Sequence, residues 1–227
     1  MRGRTGREIA NAGLDQVPEI EAWLALDGHA FRAHRCYEDF LEDAQKCQFK
    51  PGTGDLTLYR GRDFPRGHTP QSKEFGPPPA NKSPANRYNE AGEPALYLAN
   101  TRDGVRRELV RGSIPSPRLW VQEFKVPWSQ LVWLDSRSQI SDEANSVHLL
   151  PAVFDVCEHG SDPEYAASRK IAALIRERNF DGLIVPGVQG TRGHHYFNVV
   201  VFVIANWQQW LAPKPPYLMN IDPNPYD

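Results

Sequence analysis

The spacing of apolar residues changes at about residue 56, and this change constrains the fold more than any other feature of the sequence. Between residues 17 and 48 apolar side chains recur at helical spacing, in two stretches separated by Gly28, which predicts two helices. After this region, short apolar runs alternate with helical segments and with turns. The order of helices, strands, helix, strands, helix and strands predicts an α+β fold rather than a doubly wound parallel sheet.

The later elements can be assigned from their patterns. Helices are predicted at 102–110 and 163–179, the second capped by Asp162, and a short helix begins at Trp207. Residues 61–86 are rich in proline and glycine and fit no regular element, which is typical of a functional or disordered loop. Residues 136–160 give no clear pattern. Strands are predicted at residues 56–60, 95–99, 119–126, 131–134, 183–186 and 197–204.

Composition excludes several classes of protein. The formal net charge of −2 gives no overall positive field for a nucleic-acid backbone. The cysteines are three, with no CxxC pair, which argues against a disulfide framework or a zinc site and favours a reducing compartment. No apolar stretch is long enough to span a bilayer, and no secretory signal follows the basic N-terminus. We expect a cytoplasmic protein without membrane contact; delivery to a target cell without a cleavable signal stays open.

Two segments carry candidate chemistry. Arg60 ends the strand that begins at Leu56, and its planar guanidinium suits a phosphate or pyrophosphate. The alternative is a surface arginine whose stem packs on the sheet. In the second segment, Glu108 lies on the helix after the strand of Tyr97, and its neighbours Arg106 and Arg107 are expected to lower its pKa if they lie close. An ionised carboxylate facing a sugar C1 stabilises an oxocarbenium-like transition state; the alternative is a solvated helix face.

Five motifs occur in an order that resembles the RES domain family. They are Tyr59-Arg60, Asn86-Arg87-Tyr88-Asn89 with Gly92, Leu96-Tyr97-Leu98-Ala99, Glu108, and Asp181–Pro186 followed by an apolar strand. The resemblance spans about residues 56–204. It implies an ADP-ribosyltransferase-like fold, in which a split antiparallel β-sheet holds an NAD cleft and the N-terminal helices pack outside.

The resemblance also implies a function. Members are typically bacterial toxins, often paired with an antitoxin, and characterised members degrade NAD by phosphorolysis or hydrolysis. This chain would then cleave the N-glycosidic bond of NAD and release nicotinamide, with NAD as substrate, no metal, and a cognate antitoxin or immunity protein as partner. Two alternatives stay open: an ADP-ribosyltransferase that modifies a protein or nucleic acid, and a non-catalytic binding module on the same fold.

Site roles follow from the resemblance, residue by residue. Arg60 and Arg87 would hold the NAD phosphates, with Arg60 also catalytic, and Glu108 would be the catalytic carboxylate. Tyr97 would stack on nicotinamide or border the ribose. Further nucleotide contacts are expected from residues in or near the same motifs, namely Tyr59, Tyr88, Asn89, Gly187 and Thr191.

The chain departs from the family pattern at two places. Ala85 and Asn86 stand where the family has two glycines before the arginine, so the chain lacks the residues that would permit a close approach of the backbone there. Gly187 stands where the family has a serine, and Thr191 supplies a hydroxyl only if the following bend folds back. Losing one neutral hydrogen bond of about 0.5–1.5 kcal/mol is expected to weaken nucleotide binding without abolishing the chemistry.

The predicted organisation has three parts. Residues 1–55 form an N-terminal arm and helical extension, 56–212 the RES-like NAD-binding catalytic domain, and 213–227 a proline-rich tail. The pair His194-His195 is a poor metal site because neighbouring residues on a strand point to opposite faces.

Overall fold

The computed structural model describes residues 17–49, 52–109, 119–137, 149–159, 165–187 and 196–219. Within these ranges no helix is both long enough and apolar enough to cross a membrane. The described α-helices are α1 (Val17–Ala25), α2 (Gly28–Ala33), α3 (Arg35–Lys46), α4 (Arg102–Leu109), α5 (Leu149–His159) and α6 (Ala166–Glu177). Short 3₁₀ helices lie at Ser72–Phe75, Ala80–Lys82, Trp128–Gln130 and Trp207–Trp210.

The described strands form one eight-stranded sheet in the order β1-β5-β6-β7-β3-β2-β4-β8. Neighbouring strands are antiparallel except β5 and β6, which run parallel. The strands are β1 (Gln48–Phe49), β2 (Leu56–Asp63), β3 (Leu96–Ala99), β4 (Leu119–Val126), β5 (Trp133–Asp135), β6 (Gly182–Pro186), β7 (Phe197–Val201) and β8 (Tyr217–Met219).

The sheet is nearly divided between β2 and β3. These two strands share a single register pair, Tyr59 opposite Ala99, whereas β2 pairs with β4 along its whole length and β3 pairs with β7 along all four of its residues. One half-sheet therefore contains β1, β5, β6, β7 and β3, and the other contains β2, β4 and β8. This arrangement agrees with the split sheet that the sequence predicted.

Side chains alternate across the sheet and build a core on each face. On one face Leu183, Val185 and Val200 pack with α5, α6 and the N-terminal helices. On the other face the core includes Leu58 and Phe124, together with aromatic residues of the 3₁₀ segments at 72–75 and 207–210. The helices therefore cover one face, and irregular segments cover the other.

Helix α4 lies against the smaller half-sheet because Gly61 has no side chain. A Cβ at Gly61 would lie 2.6 Å from Cδ1 of Leu109 and would also overlap Val105, both on α4. Val105 is buried with Ala99, Leu119 and other residues in a separate cluster. The close approach fixes α4, and with it the carboxylate of Glu108, beside the line where the half-sheets part.

The α+β class and the outward position of the N-terminal helices are confirmed. The N-terminal region contains three helices instead of two, because His34 is extended (φ −75°, ψ 143°) and separates α2 from α3. Helix α6 begins at Ala166, since Tyr165 has a left-handed backbone (φ 58°) and is the N-cap, whose carbonyl accepts from the N–H of Arg169 (3.0 Å). The predicted cap, Asp162, lies outside the described residues.

Several elements were not predicted, among them β1 and the 3₁₀ helices within residues 61–86. Helix α5 occupies part of the segment without a clear pattern, and β8 lies in the proline-rich tail, where Met219 pairs with Leu119 of β4. A three-residue strand has too few residues for a period to show, and it forms because the edge of β4 offers hydrogen-bonding partners.

We predict that Asp43→Ala lowers the free energy of unfolding by about 1–3 kcal/mol. Asp43 is buried on α3, and its Oδ2 accepts hydrogen bonds from the backbone N–H groups of Leu149 (2.6 Å) and Leu150 (3.3 Å) at the start of α5. Without the carboxylate these amides lose an acceptor, and the helix loses a favourable charge at its N-terminus. Urea denaturation followed by circular dichroism measures the change.

Asp39→Ala is the matched control, since Asp39 lies on the same helix and is exposed. Its stability should stay within about 0.5 kcal/mol of the wild type. Equal losses for the two variants would contradict the capping role of Asp43.

Candidate functional site

A cavity of about 380 Å³ opens where the two half-sheets part. Its volume lies within the range of ligand pockets. The larger half-sheet contributes Val185, Asn198 and Val200, all on the helix-bearing face of adjacent strands. Residues of helix α4 and Tyr165, the residue before α6, also line the cavity. Helical segments from both half-sheets therefore contribute to its walls.

Most of the predicted site residues meet in this cavity. Asn89 does not line it and binds the wall residue Tyr97 instead, and Gly187 lies beside it against the ring of Tyr196. Thr191 lies outside the described residues. The predicted residues that line the cavity are Tyr59, Arg60, Arg87, Tyr88, Tyr97 and Glu108.

Arg60 directly follows the single residue pair that joins the half-sheets. Its Nη1 is buried and has no hydrogen-bond partner among the described residues. Burial, and then the like charge of Arg62, lower the pKa of Arg60 to about 9, against a smaller opposing effect of Tyr97. The group therefore remains a cation at neutral pH, and its desolvated charge favours an anionic ligand.

Arg87 reaches the cavity from a closed turn. The backbone N–H of Asn86 donates to the carbonyl of Asn89 (2.9 Å), and the side-chain oxygen of Asn86 accepts from the N–H of Arg87 (2.8 Å). The guanidinium carbon of Arg87 lies 4.8 Å from the ring centroid of Tyr165, a cation–π distance. The backbone at Ala85 and Asn86 has no positive φ, so the turn forms without the glycines that the family pattern predicts.

Tyr97 holds this turn in place. Its hydroxyl donates to Oδ1 of Asn89 (2.8 Å) and accepts from the backbone N–H of Tyr88 (3.0 Å). Asn89 also donates to the carbonyls of Pro84 (2.9 Å) and Glu90 (3.0 Å), which commits its side-chain amide to the loop. Burial raises the pKa of Tyr97 to about 12, so the phenol stays neutral. The ring of Tyr97 remains available at the cavity wall.

Ion pairs attach the same segment to α6. Arg169 Nε donates to a carboxylate oxygen of Glu90 (3.0 Å), and Arg176 pairs with Glu93. These contacts join the segment after Arg87 to a helix of the larger half-sheet. The position of Arg87 is thus set by hydrogen bonds at both ends of its segment.

Glu108 is bound by residues that the sequence did not indicate. Its Oε1 accepts hydrogen bonds from the hydroxyl of Tyr196 (2.9 Å) and from Nδ2 of Asn198 (2.7 Å). Tyr196 directly precedes β7 and Asn198 is its second residue, so the two side chains lie two positions apart and share one face. This spacing of two polar residues at the start of an apolar strand was the available signal.

Arg106 and Arg107 were expected to act on Glu108 if they lie close, and the structure gives both of them hydrogen bonds to Asp103. Both guanidinium groups donate to Asp103, at 2.8 Å from Arg106 Nη2 and 2.6 Å from Arg107 Nε. Residues three and four positions apart share a helix face, whereas adjacent residues do not. Burial raises the pKa of Asp103, but these hydrogen bonds and charges outweigh it and leave the pKa below its usual value.

A cluster of possible metal ligands lies in the region of the N-terminal helices. Glu19, His34 and Cys36 each offer one ligand atom, all within 4.8 Å of one another. Each residue already takes part in a hydrogen bond: Glu19 pairs with Arg35, and the Nδ1 atom of His34 accepts from the backbone N–H of Cys36. Burial raises the pKa of the Cys36 thiol to about 11, which opposes thiolate formation.

We predict that Tyr97→Phe lowers the free energy of unfolding by about 1–3 kcal/mol. The change removes the hydroxyl that accepts from the N–H of Tyr88 and donates to Oδ1 of Asn89, so both hydrogen bonds are lost. Thermal and urea unfolding measure the loss, and hydrogen exchange should show faster exchange in residues 86–89.

Tyr217→Phe is the matched control. The hydroxyl of Tyr217 is buried and has no hydrogen-bond partner among the described residues, so its removal sacrifices no bond. We expect a change within about 0.5 kcal/mol of the wild type. A loss in Tyr217→Phe as large as that in Tyr97→Phe would show that the Tyr97 contacts do not determine stability.

Comparisons with protein families and with solved structures both give matches. The model of the RES domain family matches residues 57–223. Among solved structures, a chain of the M. tuberculosis MbcT–MbcA toxin–antitoxin complex is similar, with 14% sequence identity and a TM-score of 0.47 over 83% of this chain and 94% of that chain. A comparison with curated proteins finds no match.

Proposed function

Since the chain belongs to the RES domain family, we propose that it binds NAD in this cavity and cleaves the bond between nicotinamide and ribose. One observation carries the proposal: Arg60, whose buried Nη1 has no described hydrogen-bond partner, and Glu108 line the same cavity. NAD contains an anionic diphosphate and a cationic nicotinamide ribose, and these two parts match a cation and an anion in one cavity.

The diphosphate would bind to arginine. Arg60 and Arg87 both line the cavity, and guanidinium groups bind phosphate oxygens through paired, charge-assisted hydrogen bonds. Binding would also give the buried Nη1 of Arg60 an acceptor. This binding would be favourable because burial has already removed the guanidinium from water, and the diphosphate supplies the missing partner.

Glu108 would act at the ribose. The C1–N bond breaks with both electrons going to nicotinamide, which leaves as a neutral molecule, and positive charge develops on the ribose. The Oε1 atom of Glu108 is held by Tyr196 and Asn198, while no described residue bonds to Oε2. A fixed carboxylate in a partly buried site stabilises the oxocarbenium-like charge without reorganising first.

The acceptor completes the reaction. Water would give ADP-ribose and release a proton, whereas inorganic phosphate would give ADP-ribose 1-phosphate. A protein or nucleic-acid acceptor would make the enzyme an ADP-ribosyltransferase at the same cavity. Incubation of the full chain with labelled NAD, with and without phosphate and cell lysate, separates these products. Intact NAD in every arm would favour a non-catalytic binding module and contradict the proposal.

We predict that Glu108→Gln lowers kcat by at least about 100-fold and changes KM for NAD little, since the charge is needed mainly in the transition state. Arg60→Gln should raise KM roughly 10- to 150-fold, because a charge-assisted contact to the diphosphate is lost. Nicotinamide release, followed by chromatography, measures both effects.

The controls are Arg32→Gln and Glu177→Gln, which remove either partner of an ion pair that is about half exposed and lies between α2 and α6. Exposed ion pairs contribute little, so both variants should cleave NAD as the wild type does. Wild-type rates in Glu108→Gln would exclude this carboxylate from the reaction.

We further propose that the chain is a toxin with a cognate antitoxin or immunity protein, as the family resemblance implies. Its described cysteines are free thiols, which agrees with a cytoplasmic site of action. Expression in a bacterial host should arrest growth and deplete NAD, and Glu108→Gln should do neither. Arrest by the Glu108→Gln variant would separate toxicity from NAD cleavage.

A further inference from the structure

The ring of Tyr196 is enclosed by two glycines. Tyr196 lies opposite Gly187, whose backbone N–H donates to its carbonyl (3.0 Å). A Cβ built at Gly187 would overlap the ring, and one built at Gly104 of α4 would lie only 2.6 Å from Cδ2 of Tyr196. Neither glycine has a positive φ. Both positions therefore need glycine for space and not for backbone conformation.

The enclosed ring directs its hydroxyl at one atom. Tyr196 is 6% exposed, and its hydroxyl donates to Oε1 of Glu108. Asn198 donates to the same oxygen from the same strand face. The terminal torsion of a glutamate is broad, so a lone carboxylate samples many orientations. Two donors fixed to β7 restrict this rotation and leave Oε2 as the oxygen without a described hydrogen bond.

We propose that Tyr196 is a positioning residue for Glu108, and that Gly104 and Gly187 are glycines in this chain because they admit its ring. The proposal rests on the proposed function for its catalytic consequence, but the contacts themselves do not depend on NAD. Glycine at position 187 thus does more than remove the serine that the resemblance predicts there, because it makes room for the ring of Tyr196. Restoring a side chain at position 187 displaces the ring and releases the carboxylate.

The first test is Tyr196→Phe, which keeps the ring between the glycines and removes the hydroxyl. We expect kcat for NAD cleavage to fall roughly 10-fold, the size of one hydrogen bond to a charged group, with KM unchanged. A fall in kcat without a change in KM is the result expected of a residue that positions the carboxylate in the transition state and does not bind NAD. A wild-type kcat in Tyr196→Phe would overturn the proposal.

Tyr37→Phe controls for the general effect of removing a phenol. Tyr37 is buried among the N-terminal helices and does not line the cavity. Its hydroxyl contacts Arg32 and Arg178, so some stability loss is expected, but kcat and KM for NAD should not change. An equal fall in kcat in this control would assign the effect to stability.

The second test concerns the glycines. Gly187→Ser and Gly187→Ala should lower kcat by at least as much as Tyr196→Phe and should lower the melting temperature, because a Cβ overlaps the ring. In a Tyr196→Ala background the added Cβ meets no ring, so the further change should be much smaller. Additive effects, or a gain of activity in Gly187→Ser, would overturn the role of Gly187.

A readout without NAD keeps the two proposals distinguishable. Carbon-detected NMR of the ligand-free chain reports the chemical shift of the Glu108 carboxyl carbon, assigned with Glu108→Gln. If the wild type leaves NAD intact, the proposed function fails, yet a changed shift of this carbon in Tyr196→Phe, absent from Tyr37→Phe, would still support the positioning contact. An unchanged chemical shift would reject it whatever the activity. If Tyr196→Ala does not fold, Tyr196→Phe and Gly187→Ala still decide the outcome by this measurement.

Discussion

Tyr59 and Ala99 form the register pair through which the two half-sheets meet, and the rest of the site depends on this narrow connection. Beyond it, β2 continues to Asp63 with β4 as its partner, while β3 continues along β7. The diverging strands leave a gap that Arg60 and its neighbours line. Because the gap lies between two hydrogen-bonded half-sheets, the cavity exists before any ligand binds, and little conformational entropy is lost on binding.

The charges around this gap are distributed unevenly. Arginines on the helices are matched by carboxylates: Asp103 binds two of them, and Glu90 and Glu93 bind two on α6. In the part of the chain that the structure describes, no ion pair joins Arg60 to Glu108. These helix arginines are thus neutralised by nearby carboxylates, whereas the cation Arg60 and the anion Glu108 line one cavity without an ion pair between them. This separation is costly without a ligand, and a dipolar ligand with matching charges would offset the cost.

Sequence patterns predicted the elements that carry the site, because strand and helix ends are marked by local signals. They did not predict the partners of Glu108. Tyr196 and Asn198 lie 88 and 90 positions away, beyond the reach of any local spacing rule. Helix geometry turns adjacent side chains apart and gives both arginines to Asp103. Local spacing therefore decides which residues reach the cavity, and strand register decides which of them touch there.

The same distinction applies to Gly187. A motif comparison treats a glycine in place of serine as a missing hydrogen bond, which assumes that the vacated space stays empty. Protein interiors are close-packed, so a missing side chain is usually replaced by another group. Here the ring of Tyr196 fills the space, and it brings a hydroxyl that donates to Glu108. A departure from a family motif is therefore interpreted best by asking which neighbouring atoms occupy the volume that the absent side chain would need.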